Sequence, residues 1–504
     1  MIKTDVLYIH ELSENMASVL AILLSLLVVL VLALVARHFR RSDHVPPGPK
    51  GWPIIGNAFT MTGENLYATL TEYSRTYGGI FSLQLGPKLV IILNTLDVAK
   101  EAYVDQASAF SKRFMPPAIR YIVGQEGSLI FGDGPIWKEQ RKFLLSAFRE
   151  FGVGKKSLQE RVNEEASYVL EVIERAKGQP INIHFVINNA VSNIICSLSF
   201  GERFDYNDEN FQNLLKKLHV NVSSISLGGI VHVFPFLMET PIYGYLKKNF
   251  QSLVDFVRRL SKEHSETFNG NDIRDILDKY LLEIQKQEDS GEESHFKRSD
   301  DWRLVFELFL AGTDTTTNTL LFTILFATYY PDIQQKISDE IDEVVGGARR
   351  PQLSDRPNMP YTEATILEVL RMRPAAPLGV PRSVSADTKV GGYFIPKGTG
   401  VFLNAFAINH DPQVWDRPYE FDPTRFLSPD GKKLIKNDSL MTFGTGRRAC
   451  VGENLAKMEL FFFVTNIFQR FHLRFPEGTS KPDLRGTQGI SLKPSPFEIC
   501  AERR

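Results

Sequence analysis

Phe443-Gly444-Thr445-Gly446-Arg447-Arg448-Ala449-Cys450-Val451-Gly452 stands just before an apolar segment of helical period that runs from Val451 to Phe468. Gly444 and Gly446 admit backbone angles and close approaches that a Cβ forbids, so the stretch predicts a tight loop feeding a helix that starts near Val451. A thiolate there meets unpaired N–H groups and the positive end of the helix dipole, and Arg447 and Arg448 add positive charge. That setting suits an anionic sulfur ligand. Two other readings stay open on these residues alone. A lone cysteine also packs well as a buried structural residue in a Gly-rich turn. Gly444, Gly446 and Ala449 further satisfy G-x-G-x-x-A before a helix, the dinucleotide fingerprint, although no clear βαβ unit surrounds them and the next acid at a strand end, Glu477, lies far along.

The full pattern F-G-x-G-x-R-x-C-x-G closely resembles the haem-binding signature of the cytochrome P-450 family. The resemblance implies that Cys450 is the axial ligand of haem b (iron protoporphyrin IX) and that Arg448 meets a propionate. Phe443, Gly444, Gly446 and Gly452 then shape the loop around the cofactor.

Outside the loop, size and composition set the frame. The 504 residues carry no Ser/Gly or Pro linker beyond the first 50, which points to one large domain, and 36 phenylalanines supply an ample core. A net charge of −1 gives no support for nucleic-acid binding. Three cysteines cannot make a disulfide framework, so a reducing compartment is expected. Residues 17–36 hold no charge and span about 30 Å as a helix, the thickness of a bilayer core. A cleaved signal peptide usually has a shorter apolar region after net positive charge, whereas Lys3 here faces Asp5, Glu11 and Glu14. Arg37, Arg40 and Arg41 follow the run, so the positive-inside rule puts the bulk of the chain in the cytosol. The expected organisation is a short luminal N-terminus (1–16), a transmembrane anchor (17–36), a basic, Pro-rich neck (37–50) and a catalytic domain (51–504). Pro46-Pro47-Gly48-Pro49 makes that neck stiff and extended, and it resembles microsomal members of the family.

Further along, Ala68–Tyr77 reads as a helix, and Ile80–Leu85 with Val90–Leu93 as two strands joined at Gly86-Pro87. Apolar period predicts helices over Leu158–Arg175, Ile183–Phe200, Tyr245–Phe268 and Ile273–Gln285. The apolar stretch Ile225–Tyr243 is broken by Gly228, Gly229, Pro235 and Pro241 and cannot span a membrane. Trp137 and Arg141, four apart on a predicted helix within Gly132–Phe148, share one face; the pair fits an ordinary amphipathic helix, and also resembles the family's W-x-x-x-R helix that donates to a haem propionate.

Asp301–Tyr329 reads as a long helix with an odd centre, Ala311-Gly312-Thr313-Asp314-Thr315-Thr316-Thr317. One Gly, four Thr and an Asp cost about 4 kcal/mol of helix propensity relative to alanine. Gly admits close approach of a flat body, and a Thr hydroxyl can bond back to a carbonyl and bend the ladder. A kink used only for packing fits as well. The run resembles the family's A-G-x-[D/E]-T-T oxygen-activation motif, which implies that Thr315 and Asp314 deliver protons and that Ala311 lies against the haem. Glu368 and Arg371, three apart on a helix, are weak evidence alone. With the strands that follow, at Val380–Val384, Gly392–Ile395 and Val401–Asn404, and with the segment ending at Phe426, they resemble the family's E-x-x-R helix, sheet and meander. Glu368, Arg371 and Arg425 would then form a charge triad locking the cysteine loop, and Arg382 would reach a propionate. Phe471–Phe475 and Ile490–Ala501 read as closing strands.

The resemblance covers the chain from the neck onward and is strongest with the animal microsomal branch. It implies a mainly α fold with small β-sheets, the cytochrome P-450 fold, behind a single N-terminal transmembrane helix. It also implies a monooxygenase of the endoplasmic reticulum membrane, single-pass, with its catalytic domain in the cytosol, acting on a small lipophilic substrate: a fatty acid, steroid or xenobiotic. Dioxygen would be the co-substrate. NADPH would serve indirectly, through NADPH-cytochrome P-450 reductase, with cytochrome b5 as a second candidate donor. Lys138, Lys142, Lys155, Lys156 and Arg447 could face the reductase. Phe114, Ile119, Ala376, Val380 and Ile490 are the implied substrate-pocket residues. Two competing functions are a haem-thiolate isomerase or dehydratase acting on a peroxide, whose members often lack the Thr and acid present here, and a non-catalytic haem-binding membrane protein.

Overall fold

The apolar, threonine-rich stretch Asp301–Tyr329 forms one uninterrupted helix buried on nearly every side, the central helix of the fold. A helix apolar all round belongs in the interior. It lies along the helix His184–Phe200 and against Glu453–Arg470. Gly312 makes the first contact possible, because a Cβ there would sit 2.5 Å from Ile195 Cδ1. The Thr315 hydroxyl donates to the Ala311 carbonyl at 2.7 Å, and Thr319 and Thr323 back-bond in the same way. Burying these hydroxyls therefore leaves none of the three without a partner.

The chain is described here from a computed structural model over residues 44–62, 65–124, 129–225, 229–291 and 295–504, with part of 16–30. It is mainly helical with small sheets. The largest sheet contains β1 (Ile80–Leu85), β2 (Lys88–Leu93), β3 (Lys112–Arg113), β4 (Arg382–Ser383) and β5 (Gly400–Leu403), in the order β1-β2-β5-β4-β3. The β2–β5 pair is parallel, with Val90 opposite Gly400, so distant parts of the chain meet in one sheet. Arg113 and Arg382 face each other across the antiparallel β3–β4 pair.

Several elements differ from expectation. The helix behind the cysteine loop begins at Glu453, with Val451 and Gly452 in a turn. Ile490–Ala501 is not one strand: Pro494 and Pro496 remove ladder donors, leaving Leu492–Lys493 and Cys500–Arg503 in separate two-stranded pairs. A helix absent from the sequence expectations, Glu209–Ser224, is capped by the Asp208 carboxylate and buries Phe211, Leu214, Leu215, Leu218 and Val222 at helical spacing. The neck is docked onto the sheet: Ser82 donates to the carbonyls of both Pro46 and Pro47.

Much of the expected anchor, 17–36, lies outside the described residues, as does all of 1–15. The described residues from Met16 to Leu30 are helical with exposed apolar side chains. Among the described residues no helix is long and apolar enough to cross a membrane. Within Ile225–Tyr243 the chain forms two short helical turns, Ile230–Val233 and Pro235–Glu239, with Phe236 and Ile242 exposed.

Candidate active site

The cysteine loop is closed by its own backbone. The Cys450 amide donates to the Phe443 carbonyl at 2.9 Å, and Gly444 and Gly446 both take φ of +70°. A Cβ on Gly446 would run into the Tyr103 carbonyl, which explains the glycine without any cofactor contact. Cys450 faces an internal cavity of about 310 Å³. Burial pushes its thiol up from the ordinary value, opposed by the backbone N–H groups of Gly452 and Glu453 and by the Arg141 charge. The favourable field thus comes from Arg141 and the helix start. Arg447 is exposed, and Arg448 is engaged elsewhere.

Four guanidinium groups line the same cavity: Arg113, Arg141, Arg382 and Arg448. Arg448 pairs with Asp133 at 2.8 Å and donates to the carbonyls of Ser111 and Gly132. Its guanidinium lies over the Trp137 ring. Arg382 lies 3.5 Å over the Tyr103 ring and donates to the Thr445 carbonyl, leaving its buried Nη1 unpartnered. Arg141 makes no hydrogen bond or ion pair among the described residues. Burial and the charges of Arg448 and Arg382 hold Arg113 down at about 9, and burial takes Arg448 to about 10. Both remain protonated at neutral pH; the direction records burial first, with the neighbouring guanidinium charges adding to it. Like charges directly opposite across a sheet are destabilising, so Arg113 and Arg382 call for anionic partners. Asp133 and Glu307 supply only part of the compensation, and Glu307 is taken up by the amides of Leu129 and Ile130.

On the central helix, Ala311 and Thr315 line the cavity. Asp314 does not. Its Oδ2 accepts from Asn318 at 2.9 Å and from the Ser491 hydroxyl, on the side turned away from Thr315. Adjacent residues on a helix lie about a quarter-turn apart, so the acid and the alcohol cannot face one point in this arrangement.

Behind the loop, Arg371 binds Glu368 bidentately at 2.7 and 2.8 Å, and Arg425 reaches Glu368 at 3.3 Å. Arg371 and Glu368 are fully buried. Arg371 also donates to the Asn409 carbonyl, whose own side chain bonds Thr442 and the Met441 amide at the base of the cysteine loop. Charge triad and loop therefore form one continuous network.

The Cytochrome P450 family model matches residues 46–501. The chain belongs to the cytochrome P450 family. It is 37% identical over 508 residues to mouse cytochrome P450 2U1, covering 96% of this chain and 95% of that protein. It is 41% identical to rabbit cytochrome P450 2J1, covering 92% of each chain, and 36% identical to rat cytochrome P450 2B2, covering 96% and 99%. The protein is a haem-dependent monooxygenase.

The residues present fit a haem. A thiol at a helix start faces the cavity, its apolar walls include Ala376, Val380 and Phe443, and the unpartnered Arg382 Nη1 and Arg141 suit two carboxylates. Gly444 and Gly452 line the cavity, while Gly446 serves the loop's packing instead. Three expected pocket residues do not line it. Phe114 packs on Phe402, Ile119 is buried in the core, and the Ile490 amide bonds the Val222 carbonyl. Arg113, Asn409 and Glu459 are functional candidates outside the sequence expectations. Glu459 lines the cavity from the helix behind Cys450, fully buried, with neither carboxylate oxygen hydrogen-bonded.

Proposed function

We propose that this cytochrome P450 is a membrane-anchored haem-thiolate monooxygenase, with Cys450 as the axial ligand of haem b and a lipophilic fatty acid, steroid or xenobiotic as substrate. The observation that carries the reading is one cavity lined by the Cys450 thiol, the Thr315 hydroxyl and four arginines, of which Arg141 and Arg382 keep donors without a partner among the described residues. Bound there, a haem supplies activation of dioxygen and insertion of one oxygen atom into an apolar bond of the substrate.

The chain's own residues do the rest. Cys450 presents a thiolate, stabilised by the N–H groups of Gly452 and Glu453 and by Arg141. Arg141 and Arg382 neutralise propionates, and Arg448 and Trp137 hold the loop against the helix Gly134–Glu150. Thr315 holds a proton at Oγ1 beside the reacting centre, and Asp314 resupplies it after its side chain rotates. The apolar lining excludes water from the substrate. Electrons come from NADPH through a reductase in the same membrane, with cytochrome b5 as a second donor. Lys138, Lys142, Lys155, Lys156 and Arg447 are all exposed and suit an acidic flavoprotein. The exposed apolar helix around residues 16–30 supports the single-pass anchor in the endoplasmic reticulum membrane, with residues 51–504 as the cytosolic domain.

The test is the carbon monoxide difference spectrum of the dithionite-reduced protein, wild type beside Cys450→His. A long-wavelength Soret band that vanishes in the variant supports thiolate ligation. Its absence from folded, haem-loaded wild type refutes the ligand assignment and the mechanism with it.

A further inference from the structure

Asp314 turns away from the cavity that Thr315 lines, and the ring it faces is His219, on the helix Glu209–Ser224. His219 Nδ1 lies 3.6 Å from Asp314 Oδ1. That Nδ1 is buried and has no hydrogen-bond partner. The other ring nitrogen, Nε2, lies 3.3 Å from Lys493 Nζ. An ammonium donates but cannot accept, so Nε2 carries the lone pair and the proton of neutral His219 sits on Nδ1, aimed at the carboxylate. A small rotation of either side chain closes the gap into a hydrogen bond.

The surroundings favour proton passage through this ring. His184, at the start of the helix His184–Phe200, packs edge-on against His219 at 4.9 Å between centroids. Burial above all, with His219 adding to it whenever that ring is protonated, holds His184 down at about 4, so it stays neutral near pH 7 and does not compete for the proton. The charged and titratable groups facing His219 are thus Asp314 from the central helix, His184 from its neighbour and Lys493 from the strand Leu492–Lys493. The His219 side chain is 28% exposed while that of Asp314 is 8% exposed. His219 therefore touches solvent on one side and a buried carboxylate on the other.

We propose that His219 is the proton entry to Asp314, carrying protons from solvent into the oxygen-activating site. The inference rests on the reading of Asp314 and Thr315 given above. In the step, the Nδ1–H bond breaks and an O–H bond forms on Asp314, while Nε2 takes a proton from water or from Lys493, which regains one from solvent. One proton moves inward and no electrons move. His219 acts only through Asp314 and is a positioning residue, not a catalytic one.

The experiment compares His219→Phe, His219→Gln and Asp314→Asn in the full-length, haem-loaded protein reconstituted with reductase, with lauric acid as the probe. The readouts are the fraction of consumed NADPH recovered as hydrogen peroxide, its pH profile, its change between H2O and D2O, and the carbon monoxide band as a check on the site. Expected for both His219 variants is an intact band and a peroxide fraction raised about threefold, less than complete loss of a general acid would give. The pH profile should flatten and the isotope effect should change. Gln should behave as Phe does, because an amide fills the space without carrying a proton, and the double variant with Asp314→Asn should add little. If Asp314→Asn shifts the profile and isotope effect while His219→Phe and His219→Gln match wild type, the relay is refuted and the role of Asp314 stands. If Asp314→Asn also matches wild type, the reading of Asp314 fails and the relay fails with it.

Discussion

The Arg448 guanidinium lies 3.9 Å over the Trp137 ring and 2.8 Å from the Asp133 carboxylate, joining the cysteine loop to the start of the helix Gly134–Glu150. This is a structural clamp before it is a cofactor contact. Its charge is already matched by Asp133, whereas Arg141 and Arg382 retain unmatched donors.

Arg448→Leu should therefore cost about 2 kcal/mol of stability, because the carbonyls of Ser111, Leu129 and Gly132 lose their donor while Asp133, partly exposed, keeps the Arg113 amide. Trp137→Phe keeps an aromatic face and should cost about 1 kcal/mol. Denaturant midpoints with the haem-to-protein ratio check both. Arg448→Leu with wild-type stability but lost haem would mean that the residue serves a propionate alone.

Arg371 offers a sharper case. Its fork serves Glu368 while Nη1 serves the carbonyls of Asn409 and Pro418, an arrangement that an ammonium cannot reproduce. Arg371→Leu should cost about 3 kcal/mol by taking the bidentate partner from a buried carboxylate, which keeps only the longer Arg425 contact and the Asp422 amide. Arg371→Lys should recover less than half of that. The network runs through Asn409 to Met441, so the predicted signature is folded protein whose carbon monoxide band shifts towards the short-wavelength form. Variants that unfold without passing through that spectrum would argue that the triad stabilises the core and leaves the loop alone.

The parts of this site legible in the sequence are those whose chemistry is local. Cys450 with its glycines, the weak helix centre around Thr315, and the Glu368–Arg371 spacing each lie within a few residues. Arg113 is different. Nothing around it signals a site, and its meaning comes from standing opposite Arg382 across two strands that the chain reaches far apart. Asn409, read from the sequence as part of a loop, ends the short helix Ala405–Asn409, and its partners Arg371, Met441 and Thr442 lie far from it in sequence. That Asp314 and Thr315 point apart follows from their adjacency on a helix, but the groups Asp314 meets across the fold, Ser491 and His219, come from segments distant in sequence and are not legible there. The helix Glu209–Ser224 shows the opposite failure, since its cap and apolar spacing are both in the sequence.

Thr315 tests the proton supply directly. Its hydroxyl donates to Ala311 and so presents its lone pairs to the cavity, ready to accept a proton from one side and release one to the other. Thr315→Ala should leave the carbon monoxide band and folding unchanged, since alanine is the better helix former. The fraction of NADPH lost as peroxide should rise several-fold, and Thr315→Ser should restore most of the coupling. Intact coupling in Thr315→Ala would remove the hydroxyl from the mechanism.

Glu459 gives a pH dependence with a definite sign. Burial pushes its carboxyl well above the ordinary glutamate value of 4.5, with the Thr316 hydroxyl opposing only weakly. The folded protein therefore keeps a proton that the unfolded chain has released, and unfolding gives that proton up. By linkage, this contribution is present in full below the unfolded value and is lost as pH rises toward the raised folded value. Glu459→Gln keeps the shape and never ionises. It should match wild type in acid and become progressively more stable than wild type as pH rises above 4.5. Denaturant midpoints measured from about pH 5 to pH 8 decide it. A variant that instead falls behind wild type as pH rises would show that the carboxylate is charged and paired in the folded protein, which would place a cationic partner beside it in the loaded site.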